Sequence, residues 1–494
     1  MIHFCVSKFN TVRLFNLFSL FIFPLFVFGQ TKIDSVFNEF KKDKSLQNAS
    51  ISFLVQDLSS DSIFFNYNDS ITNIPASTVK LFSTATAFEI LGKDYKPKTN
   101  FYIDKLPDTS GVIYGDLIIK GGADISFASQ YFSSANMQEE NVLKVADTLY
   151  RLGVRVVRGN LVGDGSSFGY NGAPDGWSWG DLGNYYGAFH SGLSIYDNVL
   201  KFQFYVGAPG TKPILTSTFP EVPNLSLRNF LSSAKGVGDN SRIYGSPYSY
   251  ERSIQGSLGA FNKSIIVSGS LPDPETQFLQ AINKAFKTKG IILEGDLISR
   301  RTVKDSLKYN YQSKKLIYSH NGATVRDVAY WTNLKSLNVF AETLNSWIGL
   351  EKTGLGSTEN GVKSILEYWN GKIYTQGLSL TDGSGLSRTN RVSAKNLCSL
   401  LKYMYSSKNQ EAFLSTLPIT GKSGTLESFC KGQCSQGKIQ AKSGTMKGVK
   451  SYAGYVSTAS GKKLVFALIV NNFSCSNTAI MKKMEALMNA MYLQ

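Results

Sequence analysis

The sequence predicts an α/β (α+β) protein: an antiparallel sheet flanked by helices, interrupted by a large β-rich inserted region of one or two domains. Three observations carry this. Residues 51–91 read as a strand hairpin followed at once by a buried helix. Between about residues 94 and 311 the chain becomes rich in glycine and in short strand candidates. Helical periodicity then returns and ends in a strand meander and a last helix. A chain of 494 residues is long enough for two or three domains with sizeable cores.

The first segment reads as a targeting sequence. Lys8 and Arg13 lead an almost wholly apolar run of about 15 residues, with Pro24 inside it. A membrane span needs about 20 residues, so residues 1–29 are expected to be a secretory signal peptide, with a mature chain starting near Gln30. Cys5 precedes the apolar run and is not placed to carry a lipid. The expected location is outside the cytoplasm, periplasmic or associated with the cell envelope, with no stable membrane span after processing.

Composition narrows the chemistry. The formal charge of +16 falls to +14 without Lys8 and Arg13, and the lysines are spread along the chain with no basic block. That is a solvated surface with a long-range pull on anionic polymers or membranes, not a nucleic-acid footprint. Beyond the leader the cysteines are Cys398, Cys430, Cys434 and Cys475. An exported chain can oxidise them, and four cysteines allow three pairings, among which spacing does not choose. The histidines beyond the leader, His190 and His320, have no second histidine or cysteine at ligand spacing. A metal site and a Ser-His-Asp apparatus are therefore unsupported, no cofactor is expected, and lysine becomes the credible base for serine chemistry.

Taken in order, strands at 51–55 and 63–66 flank the turn Ser59-Ser60-Asp61-Ser62. Pro75 opens a helix in which Val79, Leu81, Phe82, Ala85, Phe88 and Leu91 recur at helical spacing until Gly92. Ser77 and Lys80 share one face of its first turn. Strands are expected at 115–120 and 159–164, and amphipathic helices at 142–152 and 275–289. The aromatic, glycine-dense stretch 177–198 is a loop that either packs on itself or faces a ligand. A nested subdomain is expected at about 187–272. Helices follow at 325–334 and 339–347, with Ser336-Leu337-Asn338 in the short connection between them. A helix at 360–371, a glycine-built loop at 382–388, a helix at 393–405, strands at 438–445, 452–457 and 464–471, and a helix at 479–491 complete the chain. Composition divides the chain into 30–93, 94–311 and 312–494.

Three short elements stand in chain order: Ser77-x-x-Lys80, Ser336-x-Asn338 and Lys442-Ser443-Gly444-Thr445. Ser-x-x-Lys alone is unspecific, since it recurs from Ser232, Ser428, Ser435 and Ser460. The three together make a serine acyl-transfer apparatus. Ser77 attacks a carbonyl and a desolvated Lys80 takes its proton. Ser336 relays a proton to the leaving amine, and Asn338 holds the substrate's peptide group. Lys442 brings positive charge to a substrate carboxylate, with the Ser443 hydroxyl beside it. Gly444 lets substrate backbone lie against the strand edge. The backbone amides of Ser77 and Thr445 form the oxyanion hole.

This ordered triple resembles the signature of penicillin-recognising serine enzymes. The chain resembles the low-molecular-mass class C penicillin-binding proteins, the D-alanyl-D-alanine carboxypeptidase/endopeptidase family, over nearly its whole mature length. Motifs separated by 259 residues suit a family whose β-lactamase/transpeptidase-like domain is interrupted by extra domains. Residues 120–124, 161–164, the Trp177-x-Trp179-x-Asp181 stretch with Tyr186-Gly187-Ala188, and the 382–388 loop also match in order. The resemblance implies peptidoglycan stem peptides as substrates, β-lactam antibiotics as inhibitors, Asp181 as receiver of a cationic stem side chain, and Tyr186 and Arg388 as further pocket residues. The third motif departs from the family's Lys-Thr-Gly, though Ser443 keeps the hydroxyl. Lys-Ser-Gly-Thr also occurs at 422–425, and the copy at Lys442 is expected to be catalytic because a glycine-containing strand pair follows it. The alternatives are a β-lactamase or esterase of the same superfamily, against which the long insertion argues, and a non-catalytic cell-wall-binding protein.

Overall fold

The computed structural model describes residues 32–60, 62–134, 137–259, 262–303 and 311–494. The signal-peptide reading of residues 1–29 lies outside them, as does Asp61 of the hairpin turn.

A five-stranded antiparallel sheet runs in the order Ile439–Met446, Val449–Ser457, Lys463–Asn471, Ser50–Asp57, Ile63–Tyr67. Its central strand shows why both faces are covered. Leu464, Phe466, Leu468 and Val470 point into one core with Phe37, Met484 and Met488 of the terminal helices Lys32–Lys42 and Asn477–Tyr492. Val465, Ala467 and Ile469 point into the other, against the helices Lys80–Ile90, Asn338–Thr353 and Ala394–Ser406. Side chains alternate along a strand, so a run apolar at every position is buried on both sides. The strand Ile439–Met446 is left at the edge, beside the Ser77 turn.

The strands of the interrupting region form other sheets. A mixed five-stranded sheet has the order Leu297–Ser299, Leu161–Asp164, Leu117–Lys120, Lys98–Ile103, Lys315–Asn321. Its first three strands are parallel, covered by the helices Met137–Arg151 and Pro274–Lys289 in one core. The strand Lys315–Asn321, which the sequence reading placed in the C-terminal part of the catalytic unit, instead pairs antiparallel with Lys98–Ile103. Among the described residues the interrupting region also holds three three-stranded sheets: Lys263–Ser270, Val199–Val206, Ile214–Phe219; Ser226–Ser233, Glu251–Leu258, Arg242–Tyr244; and the short Ile292–Leu293, Val156–Val157, Val112–Ile113.

The nucleophile element differs from the continuous helix expected. Residues Ala76–Val79 form a 3-10 turn and the α-helix begins only at Lys80. Ala76 takes φ 48, a left-handed backbone that costs a residue with a Cβ. Among the described residues no helix is long and apolar enough to cross a membrane. Among the described residues Cys398, Cys430, Cys434 and Cys475 are free thiols, Cys398 and Cys430 buried and Cys434 exposed.

Candidate active site

Local rules place the catalytic side chains. The helix Val325–Lys335 opens with a Thr324/Asp327 capping box and stops at Ser336, whose φ of 61 is left-handed. The chain restarts at once as the helix Asn338–Thr353. Ser336 and Asn338 therefore project from a two-helix corner toward the start of the Lys80 helix.

Lys80 is the hub. Its fully buried Nζ donates to Ser77 Oγ at 3.0 Å, Asn338 Oδ1 at 2.6 Å and the Ser384 carbonyl at 2.6 Å. Burial pushes its pKa down to about 7, against the pull of the Asp382 and Glu342 carboxylates. A lysine so poised can take up a proton near neutral pH. Asn338 closes the bridge by donating through Nδ2 to the Tyr186 carbonyl at 2.7 Å. Lys442, also fully buried, donates to Ser336 Oγ at 2.9 Å and to the Ser443 carbonyl at 2.7 Å. Burial, with the charges of Lys80 and Lys450, holds its pKa well below the ordinary lysine range. An arriving carboxylate would restore its proton.

A cleft of about 650 Å³ opens over these groups. Ser77, Ser336, Asn338, Thr445, Asp181, Tyr186 and Arg388 all line it. The strand Ile439–Met446 and the aromatic loop, far apart in sequence, thus line one cleft. Tyr186 OH donates to Asp181 Oδ1 at 3.4 Å, and Ser178 Oγ to Asp181 Oδ2 at 2.7 Å.

Two expectations need correction. Gly444 does not make room for substrate. A Cβ there would stand 2.3 Å from Ser451 Oγ, 2.7 Å from the Pro75 carbonyl and 3.0 Å from the Ser77 amide nitrogen. The missing side chain lets the strand press against the nucleophile turn. Ser443 does not line the cleft either; it is 7% exposed and its Oγ donates to Thr425 Oγ1 at 2.8 Å. Thr425 belongs to the earlier Lys-Ser-Gly-Thr copy, whose Lys422 is exposed while Lys442 is buried. The first copy supports the second instead of duplicating it.

Sequence reasoning missed several groups. Glu342 lies one turn beyond Asn338, fully buried, with burial and the Asp382 charge pushing its pKa up to about 8. Its signal was a lone acid among Val339, Phe340, Ala341 and Leu344. Asp382 knots the glycine loop by accepting from the Gly385 and Ser387 amides, both at 2.7 Å, and from Trp177 Nε1 at 2.8 Å. Lys450, brought down to about 8 by burial, donates to Thr445 Oγ1 at 2.7 Å and sets a cation beside the cleft. Lys201 and Arg242 also line the cleft.

Comparison with known proteins gives the family. Residues 32–491 match the model of the D-Ala-D-Ala carboxypeptidase 3 (S13) family. The chain belongs to that family. It is a serine-type peptidase by descent. It is 26% identical over 462 residues to a D-alanyl-D-alanine carboxypeptidase of Actinomadura sp. (strain R39), covering 88% of this chain and 80% of the relative. A D-alanyl-D-alanine carboxypeptidase of Haemophilus influenzae is 24% identical over 449 residues, covering 87% and 86%. The crystal structure of penicillin binding protein 4 from Haemophilus influenzae superposes with a TM-score of 0.78 at 20% identity, over 92% of this chain and 99% of that one. The fold is shared.

Proposed function

We propose that the protein is a D-Ala-D-Ala carboxypeptidase and/or DD-endopeptidase that cuts peptidoglycan stem peptides through an acyl-enzyme on Ser77. One observation carries the reading. A buried lysine poised near pH 7 hydrogen-bonds the Ser77 hydroxyl at 3.0 Å, at the mouth of a cleft that a second serine–lysine pair also reaches. Neutral Lys80 accepts the Ser77 proton as Oγ bonds to the scissile carbonyl carbon. The charge growing on the carbonyl oxygen faces the amides of Ser77 and Thr445. As the C–N bond breaks, Ser336, held by Lys442, passes a proton to the departing D-alanine nitrogen. Water then hydrolyses the Ser77 ester. The terminal carboxylate meets Thr445, with Lys442 and Lys450 behind it, and the cationic stem side chain meets Asp181 beside Tyr186 and Arg388. A β-lactam, which presents a strained amide in place of D-alanyl-D-alanine, acylates the same serine. The basic lead and apolar run of the first 29 residues support action outside the cytoplasm.

The test is labelled penicillin together with defined monomeric and cross-linked muropeptides. Purified protein is expected to take up the label and release D-alanine, and Ser77→Ala to do neither. Label retained in Ser77→Ala would reject the assignment. Antibiotic hydrolysis much faster than D-alanine release would point instead to a β-lactamase.

A further inference from the structure

A second groove, of about 170 Å³, lies on the flank of the cleft, and Trp179, Tyr244, Arg228, Ser253 and Arg252 are among its lining residues. Two elements join it to the cleft. The turn Trp179–Leu182 puts Asp181 into the cleft and Trp179 into the groove. The strand Arg242–Tyr244 puts Arg242 into the cleft and Tyr244 into the groove. Whatever occupies both must be continuous across this rim.

The chemistry of the groove is distinctive. A single exposed ring needs no explanation, but here Trp179, 57% exposed, stands 6.3 Å from Tyr244 at an interplanar angle of 38°. Beside the rings, Arg228 is paired in register with Ser253, and Ser253 with Tyr244, across the small sheet. Arg252 is 2% exposed, and its guanidinium donates to the carbonyls of Ser246, Ser249, Glu251 and Ser270. No carboxylate pairs with it among the described residues, and its Nε has no partner. Glu251 also lines the groove, so its two arginines leave one positive charge over, which favours an incoming acyl or carboxylate oxygen. The groove is smaller than the roughly 300–1,000 Å³ of pockets for drug-sized molecules, which suits one ring better than a peptide.

We propose that this groove binds the glycan strand of peptidoglycan, with one N-acetylated pyranose stacked on Trp179 and Tyr244 and its acyl or lactyl oxygens turned to Arg228 and Arg252. The C–H face of a pyranose is apolar and faintly positive, and it packs on the negative face of an aromatic ring. The inference rests on the peptidase reading above: a stem peptide in the cleft holds its own sugar near the rim. Two linked sites then favour polymeric wall over free peptide through effective concentration.

The probe is glycan freed of its peptides by an amidase, so that the lactyl carboxylates are exposed, titrated against the full chain by isothermal titration calorimetry. Wild type is expected to bind, and Trp179→Ala and Arg228→Ala each to bind about tenfold more weakly. Acylation by labelled penicillin first shows that each variant is folded. D-alanine release from intact sacculi should then fall in both variants relative to release from a glycan-free stem peptide. No binding by wild type, or wild-type affinity in Trp179→Ala, overturns the proposal. If wild type neither labels nor releases D-alanine, it is the peptidase reading that fails.

Discussion

At the scale of single residues, the decisive quantity is the protonation of Lys80. Only its neutral form takes the Ser77 proton, so penicillin acylation is expected to rise with pH through about 7, where burial has brought its pKa. An acylation rate flat from pH 5.5 to 8.5 would exclude Lys80 as the base. The Asp382 and Glu342 carboxylates both raise the Lys80 pKa. Glu342 is itself protonated where Lys80 titrates, so Glu342→Gln should leave the acidic limb of the acylation profile in place, and a shift of that limb would place a charged carboxylate there. The same substitution has a stability signature. Glu342 keeps its proton to about pH 8 in the fold, but only through the ordinary carboxylate range when unfolded. Its contribution is fully present below that range and is lost as pH rises toward 8. Denaturant midpoints measured from pH 4 to 9 should decline less steeply in Glu342→Gln than in wild type.

At the scale of elements, the site is a seam between an edge strand and a strained turn. Ser451 Oγ and Thr78 Oγ1 both donate to the Pro75 carbonyl, at 2.6 Å and 2.9 Å, and so fasten the turn to the sheet. Gly385 closes the other side; its Cβ would lie 2.0 Å from the Ala76 carbonyl oxygen, and its φ is 83. Neither backbone can give way without moving Ser77. Gly444→Ala should cost about 1–3 kcal/mol, as overpacking does, and should slow acylation. Urea titration with penicillin labelling reads both, and unchanged midpoint and rate would contradict the packing argument. Helix ends are secured by ordinary chemistry, as in the Ser393/Asn396 capping box before the helix Ala394–Ser406.

At the scale of the molecule, the interrupting region contributes to the cleft and to the hydrogen bonds around it. It supplies the Tyr186 carbonyl that holds Asn338, the Trp177 indole that holds Asp382, and the Asp181 wall of the cleft. Trp177→Phe removes one charge-assisted hydrogen bond from a buried carboxylate, a loss of about 1.5–3 kcal/mol. Because Asp382 shapes the loop whose Ser384 carbonyl accepts from Lys80, the variant should lose penicillin labelling at lower urea than wild type. A variant that labels and unfolds like wild type would show that the two regions are joined elsewhere.

Much of this was written locally. Strand alternation, the short corner at Ser336 and the three motifs are patterns of a few residues, governed by backbone geometry and side-chain spacing. They suffice to predict the α+β class and to nominate Ser77, Lys80, Ser336, Asn338 and Lys442. What Gly444 and Ser443 do was not local. The partners that answer it, Pro75, Ser451 and Thr425, reach the strand only through the fold. Glu342 likewise reads as an isolated acid until the helix Asn338–Thr353 packs against the helix Lys80–Ile90, joined by a hydrogen bond spanning 258 residues. A sequence pattern records which faces are apolar. The perturbed charge of a lysine depends on what water is excluded and which carboxylates remain nearby, and only tertiary packing decides that.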